Sequence, residues 1–172
     1  MAIKQLTRDM KGKSVVDIRY GQKIATVEDV MLDPGNLNPA ALVTSKGSLL
    51  KREIKAIPAS EVKVWGQDVI LVSNPDVIRR QEELPDLENW LSVSDDINGH
   101  QVVGLDGMRI GQIDDLLISE KGDLTAFHLS QVSADSPVGE TRMIPVEAVH
   151  SLQDVLLVDL SQAREEAELA DT

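Results

Sequence analysis

The hydrophobic and polar positions of this chain follow one pattern twice. Residues 21–33, GQKIATVEDVMLD, return in recognisable form as residues 107–119, GMRIGQIDDLLIS. Each copy begins with a glycine and continues through a basic residue, an isoleucine and an acidic pair into an apolar run. A chain that repeats a pattern of this kind contains two copies of one structural unit. We therefore predict two tandem domains of the same fold.

Each copy of the pattern predicts a β-strand. Its apolar positions also recur at a spacing that suits an amphipathic helix, but Gly111 and the pair Asp114 and Asp115 are unfavourable inside a helix. A β-bulge at the acidic pair would shift the inward and outward side chains by one residue and so account for the spacing. We therefore expect a strand with a bulge at the acidic pair in both copies.

Short strands joined by turns are predicted for the rest of each copy. DPGN at residues 33–36 and EKGD at residues 120–123 are rich in turn-forming residues, so each repeated strand folds back as a hairpin. A further strand ends at an Ile-Pro step, where Pro58 and Pro145 suit the first position of a single helical turn. The last strand reads QDVILV in the first copy and QDVLLV in the second, and these continuous apolar runs indicate burial on both faces.

Composition divides the chain into four segments. We predict a first domain at residues 1–74, a linker with a short helical turn at 75–92, a second domain at 93–160 and an acidic tail at 161–172 that is a frayed helix or disordered. Domains of this size bury too little surface to be stable alone, so we expect the two to dock on each other. Trp65 and Trp90 are the candidates for an interface, because buried tryptophans dominate binding energies. They could equally close the core.

The residues of the repeated pattern resemble the PRC-barrel family, which is named for the cytoplasmic domain of the photosynthetic reaction-centre H subunit. The family motif is Gly-x-x-Ile-Gly-x-Val-x-Asp, followed by an apolar run, a hairpin and an Ile-Pro step. The matching positions are Gly21, Ile24, Asp29 and Pro58 in the first copy and Gly107, Ile110, Gly111, Asp115 and Pro145 in the second. The first copy departs from the motif at Ala25, which replaces the second glycine.

The resemblance covers nearly the whole chain and implies an all-β fold, with a small, mostly antiparallel six-stranded barrel for each copy. Barrels of this family are known as binding and assembly modules, and the family has no catalytic residues in common. The resemblance therefore implies a role in binding or assembly and leaves the partner open.

The charge of the chain excludes some classes of partner. The net charge is −12, and it is unevenly placed: residues 1–74 carry 11 Lys and Arg against 8 Asp and Glu, whereas residues 93–172 carry 4 against 16. Binding to duplex DNA or RNA requires several basic side chains that neutralise phosphates, and the second half of the chain has too few of them. The chain also has only 2 Trp, 1 Tyr and 1 Phe to stack on single-stranded bases. We therefore predict no nucleic-acid partner.

The acidic pairs and the histidines are the candidates for chemistry. Glu28–Asp29 and Asp114–Asp115 could bind a cation, but neighbouring residues of a strand point to opposite faces. Each pair is more simply explained if one acid bonds to the hairpin backbone and the other faces water. His100, His128 and His150 lack the spacing of a zinc site. We expect no catalytic residue, no metal and no cofactor, and hence no enzyme.

The sequence therefore favours a non-enzymatic adaptor that binds or assembles a protein partner. One alternative is a ribosome- or RNA-processing accessory factor, because a ribosome-maturation factor carries a domain of the same family. The other is a small-ligand or metal-binding protein. The chain has neither a run of about 20 apolar residues nor the apolar core of a signal peptide at its N-terminus. We expect a cytoplasmic protein, and we leave peripheral membrane association and homo-oligomerisation open.

Overall fold

The regular elements of the described chain are short β-strands and single helical turns. The computed structural model describes residues 4–134, 136 and 138–161, so the predicted tail lies almost entirely outside them. The first ten strands are β1 (Lys4–Leu6), β2 (Ser14–Asp17), β3 (Lys23–Thr26), β4 (Asp29–Asp33), β5 (Asn38–Gly47), β6 (Arg52–Pro58), β7 (Val62–Trp65), β8 (Val69–Val72), β9 (Arg79–Arg80) and β10 (Leu91–Ser92). The remaining six are β11 (Gln101–Gly104), β12 (Arg109–Ser119), β13 (Leu124–Ser130), β14 (Met143–Pro145), β15 (Val149–Leu152) and β16 (Leu156–Val158).

The helical segments are all short. One α-helical turn, α1, spans Thr7–Met10, and one π-helical turn spans Val93–Ile97. The 3-10 turns are Ala59–Glu61, Pro75–Val77, Gln81–Glu83, Leu87–Asn89, Gly139–Thr141 and Val146–Ala148. The turns at Ala59–Glu61 and Val146–Ala148 follow the two Ile-Pro steps, as the sequence predicts.

The strands form three sheets. The first has the order β14-β13-β12-β11-β16-β15 with β1 added on β12; the second has the order β10-β4-β5-β6-β9, and the third β3-β2-β8-β7. All neighbours are antiparallel except the pairs β2–β8 and β11–β16. Strands β2 to β8 form the first repeat, and β11 to β16 form the second with the same order of elements. The prediction of an all-β chain built from two tandem units is confirmed.

The predicted closure into six-stranded barrels is not seen in the described residues. In the second repeat, β14 and β15 are the two ends of the strand order, and only the turn Val146–Ala148 joins them. In the first repeat the strands divide between two sheets, because the chain leaves one ladder and enters another between β3 and β4. The amide of Val27 donates to Lys13 at 2.9 Å, whereas the amide of Glu28 donates to Val43 at 2.7 Å.

The repeated stretch is a strand in both copies, but its acidic pair behaves differently in each. In the second repeat β12 continues through the pair, with a register shift between Ile113 and Asp115 that corresponds to the expected bulge. In the first repeat the strand is interrupted at this place. The prediction that the last strand is buried on both faces is wrong. In β8, Ile70 and Val72 are buried, whereas Val69 is exposed. The sequence analysis also missed β7 and β15, which pair with these last strands.

The two repeats share one hydrophobic core. A single cluster of buried side chains includes Leu42, Ile57 and Trp65 from the first repeat and Leu116 and Phe127 from the second. The two units are therefore docked, as expected for domains too small to bury their own apolar surface.

The repeats also exchange their leading segments. Strand β1, which precedes the first repeat, pairs with β12 of the second, with Leu6 opposite Leu117. Strand β10, which precedes the second repeat, pairs with β4 of the first, with Ser92 opposite Met31. Each repeat therefore completes a sheet of the other, and this exchange places the buried acids described below.

Candidate interaction surface

The buried acid of the second repeat receives the leading segment of the first. Asp115 is almost completely buried on β12, and Thr7 donates its hydroxyl to this carboxylate. The amide and the Nε of Arg8 donate to Oδ2 at 3.0 and 3.1 Å, and the amide of Leu116 donates to Oδ1 at 2.7 Å. The carboxylate thereby satisfies the first turn of α1, which has no cap of its own.

Asp29 plays the same part in the first repeat. Ser92 and Ser94, at the start of the π-helical turn, donate their hydroxyls to Oδ2, the second at 2.7 Å. Lys46 Nζ lies 3.0 Å from the same oxygen, and the amide of Val30 donates to Oδ1 at 2.8 Å. Burial raises the pKa of Asp29, but these hydrogen bonds outweigh it and hold the pKa below its ordinary value. We call the two arrangements the Asp29 clasp and the Asp115 clasp.

The outer acid of the second pair supports its clasp from the surface. Asp114 is one-third exposed, and its Oδ2 lies 2.7 Å from Nη2 of Arg8 and 2.9 Å from Nδ1 of His128. Burial raises the pKa of Asp114, while the hydrogen bonds from Arg8 and His128 lower it, with a net decrease. Glu28, the outer acid of the first pair, is exposed. The acids of each pair thus face different surroundings, as the strand geometry predicts, but the inner acid bonds the other repeat in addition to its own strand.

The two tryptophans have different roles. Trp65 ends β7 in the shared core, its amide donates to Glu120 of the second repeat at 3.3 Å, and a Cβ added at Gly122 would lie 2.3 Å from its Nε1. Trp65 therefore contacts the β12–β13 hairpin across the boundary between the repeats. Trp90 packs instead against a smaller cluster that joins Met31 of the first repeat to Leu84 of the linker. It holds the linker on the first repeat and does not join the two repeats.

Exposed apolar side chains occupy the same turn in both repeats. Ile18 and Leu105 each follow the first strand of their repeat, and their amides donate to the last residue of β8 and β16, at 2.8 and 3.1 Å. Their exposed fractions are nearly equal, at 56% and 55%. Tyr20 and Met108 lie in the same turns and are more exposed still. We call Ile18 with Tyr20, and Leu105 with Met108, the two turn patches.

Aspartates hold both turns in a defined conformation. Asp17, which is fully buried, accepts hydrogen bonds from the amide of Tyr20 at 2.7 Å and of Gln22 at 3.3 Å. In the second repeat, Oδ1 of Asp106 accepts from the amide of Met108 at 3.0 Å. These patches were not predicted from the sequence, although Tyr20, Leu105 and Met108 each stand next to a glycine, where nothing in the strand pattern requires an apolar residue.

Comparison with known families accounts for the repetition. The model of the PRC-barrel domain matches residues 6–78 and again residues 94–164. This chain belongs to the PRC-barrel domain family. No curated protein matches it significantly. Among the described residues, no helix is long and apolar enough to span a membrane.

The PRC motif residues have structural positions that explain their identity. Gly21 and Gly107 adopt φ angles of +65° and +84°, which favour glycine. At Gly111 an added Cβ would lie 3.1 Å from the carbonyl oxygen of Ser130 on the neighbouring strand. The other motif residues are buried or half-buried: Ile24 and Ile110 on the repeated strands, and Pro58 and Pro145 at the ends of β6 and β14.

One of the three histidines of this PRC-barrel chain bonds to an acid of the repeated motif. His128 contacts Asp114, whereas His100 and His150 lie elsewhere on the second repeat. Across residues 4–134, 136 and 138–161, no three His, Asp or Glu side chains form a group that could hold a metal ion.

Proposed function

We propose that this PRC-barrel protein is a non-enzymatic adaptor that binds a protein partner through its two turn patches. The observation that supports this most directly is the repetition of the same exposed apolar feature at the same turn of both repeats. A single exposed apolar residue is ordinary on a protein surface, but a group of large apolar residues repeated at equivalent turns indicates contact with a partner.

The surroundings of the patches suit protein recognition. Tyr20 and Met108 belong to residue types that are enriched at the centres of protein interfaces. The guanidinium carbon of Arg19 lies 5.4 Å from the ring centre of Tyr20, so this patch combines an aromatic ring with a cation. The aspartates that hold the turns reduce the conformational entropy that binding would remove.

The docking of the repeats favours a partner with two contact points. Because the repeats share one core and exchange their leading strands, the two patches are held in a fixed relation to each other. A partner that is itself repeated or dimeric could engage both patches at once, and the second contact would form at high effective concentration. The engagement of the conspicuous acids in the clasps supports the assignment of a non-enzymatic role.

Affinity capture from the native host with the full chain tests the proposal. The bait proteins are the parent, Ile18→Ser, Leu105→Ser, the double variant, and Val69→Ser as a control that removes an exposed apolar residue elsewhere. We expect a protein partner that the parent and Val69→Ser retain, that each single variant binds roughly tenfold more weakly, and that the double variant loses.

Two results would contradict the proposal. The first is a set of captured proteins that is the same for the parent and the double variant, because the turn patches would then have no part in binding. The second is a set of ribosomal proteins whose capture does not depend on either patch, which would favour the alternative role as a ribosome accessory factor.

A further inference from the structure

The tip of the β5–β6 hairpin carries two adjacent leucines with no cover. Leu49 and Leu50 are both fully exposed, more so than any other large apolar residue of the described chain. The turn does not need them, because its polar groups satisfy one another: the amide of Ser48 donates to the carbonyl of Lys51 at 3.0 Å, and the amide of Lys51 donates to the hydroxyl of Ser48 at 3.1 Å. Polar residues would serve the turn equally well.

The second repeat has no counterpart of the leucine pair. The chain between β13 and β14, residues 131–142, reads QVSADSPVGETR and contains no leucine. The leucine pair is therefore a property of the first repeat alone, unlike the turn patches, which both repeats share.

Basic residues flank the leucines. Lys51 and Arg52 follow them directly, and both are exposed. Arg52 contacts Asp95 at 3.2 Å in an exposed pair that contributes little, and in the described part of the chain no carboxylate forms an ion pair with Lys51. Glu53 lies on the same hairpin, and Glu53, Glu82 and Glu88 line one groove together with Lys51 and Arg52. The charges that directly follow the leucines in sequence are the positive ones of Lys51 and Arg52.

We propose that this tip inserts into the interface of an anionic lipid bilayer, with Leu49 and Leu50 among the acyl chains and Lys51 and Arg52 at the headgroups. Apolar side chains next to lysine and arginine are the features that bind proteins to the surface of anionic membranes. A projecting tip fits a deformable bilayer, whereas the centres of protein interfaces are depleted of lysine and favour aromatic residues, which this tip lacks. The proposal is independent of the turn patches.

Vesicle flotation with the full chain tests the proposal. The vesicles are phosphatidylcholine alone, or phosphatidylcholine with about one third phosphatidylglycerol, an anionic lipid. We expect the parent to float with the anionic vesicles and not with the neutral ones. The double variant Leu49→Ser/Leu50→Ser should bind at least about tenfold more weakly, and Lys51→Gln/Arg52→Gln should lose most of the preference for anionic lipid. Val64→Ser, which removes an exposed apolar residue on β7, should bind like the parent.

A spectroscopic variant reports insertion directly. In Leu50→Trp the new indole should shift its emission to shorter wavelength when anionic vesicles are added, above the background of Trp65 and Trp90 measured in the parent. All variants change exposed side chains, and unchanged thermal unfolding shows that each is folded. The proposal is overturned if the parent fails to float with anionic vesicles, if the leucine variant floats as well as the parent, or if the Leu50→Trp emission does not move. Loss of a protein partner from the leucine variant without any vesicle binding would likewise overturn it.

Discussion

The two repeats have the same order of elements but differ at the repeated strand. In the second repeat β12 runs unbroken from Arg109 to Ser119 and pairs with β13 along most of its length. In the first repeat the same stretch is divided into β3 and β4, which belong to different sheets. One family motif therefore supports two sheet arrangements.

The two repeats also differ by one methyl group on the repeated stretch. At Gly111 a Cβ would lie 3.1 Å from the Ser130 carbonyl oxygen, so a side chain there would require the neighbouring backbone to shift by a few tenths of an ångström. The first repeat has Ala25 at the corresponding position, and its ladder between β4 and β5 begins only at Asp29 and Val43. We infer that the alanine methyl keeps the neighbouring strand away and so opens the sheet at this point.

The clasps, by contrast, occur in both repeats. Asp29 and Asp115 bind the leading segment of the other repeat in both cases, although different donors are used. Exchange of the leading segments is thus the shared feature of the two repeats, and the continuity of the sheet is the variable one.

The largest effect is expected from the clasps. Asp115→Asn should lower the free energy of unfolding by about 2–4 kcal/mol, because the buried hydroxyl of Thr7 and the partly buried amide and Nε of Arg8 lose a charged acceptor. Asp29→Asn should cost a similar amount if the clasps are equivalent. Urea unfolding measures both, and Asp114→Asn, on a partly exposed acid, serves as the control with a loss below about 1 kcal/mol. Equal losses in all three variants would show that burial in the clasp is unimportant.

The contact between Trp65 and the second repeat gives the next effect. Gly122→Ala should cost about 2–3 kcal/mol, because its φ of +86° disfavours alanine and its Cβ would overlap the buried indole. Gly107→Ala is the matched control, with a φ of +84° and open space around the Cβ, and should cost only about 1 kcal/mol. If thermal unfolding shows the two variants to be alike, the indole is not a rigid part of the boundary between the repeats.

Substitution of Gly111 by alanine and of Ala25 by glycine tests whether the methyl group divides the strand. Gly111→Ala should cost about 1–2 kcal/mol, because β13 must move away from the new methyl group. Ala25→Gly should cost less, about 0.5–1 kcal/mol, because it only increases the freedom of the unfolded chain. Hydrogen exchange should show faster opening of the amides near Ser130 in Gly111→Ala. Unchanged exchange there would contradict the role of the methyl group.

The pH dependence of the Asp29 clasp is the smallest expected effect. Because the pKa of Asp29 is lower in the folded protein than its ordinary value of about 3.9, its ionisation stabilises the fold above that pH. This contribution is lost as the pH falls through the folded pKa. The urea midpoint of the parent should therefore decrease in acid more steeply than that of Asp29→Asn. Parallel curves for the two proteins would show that this carboxylate does not contribute.

The sequence by itself determined the features that depend on neighbouring residues. The repetition of two units, the glycine turns at Gly21 and Gly107, the hairpins and the single turns after the Ile-Pro steps were all predictable. The turns rest on the dihedral preferences of one to four residues, which act before any tertiary contact forms, and the repetition is visible because the two stretches share their residue types. The bulge in β12 was also predictable from neighbouring residues, because the spacing of the apolar residues in β12 departs from strict alternation at the position of the register shift.

Only the tertiary structure decided the exchange of leading segments and the burial of Asp29 and Asp115. Strands β1 and β10 are too short to carry a hydrophobic period, and their partners lie on the other repeat. Thr7 and Asp115 are 108 residues apart, so no local pattern connects them. The sequence of an acidic pair on a strand does not reveal whether the inner acid contacts water or a hydroxyl group from a distant segment. That choice depends on which surfaces the two repeats bury together, and it therefore follows from packing of the whole chain.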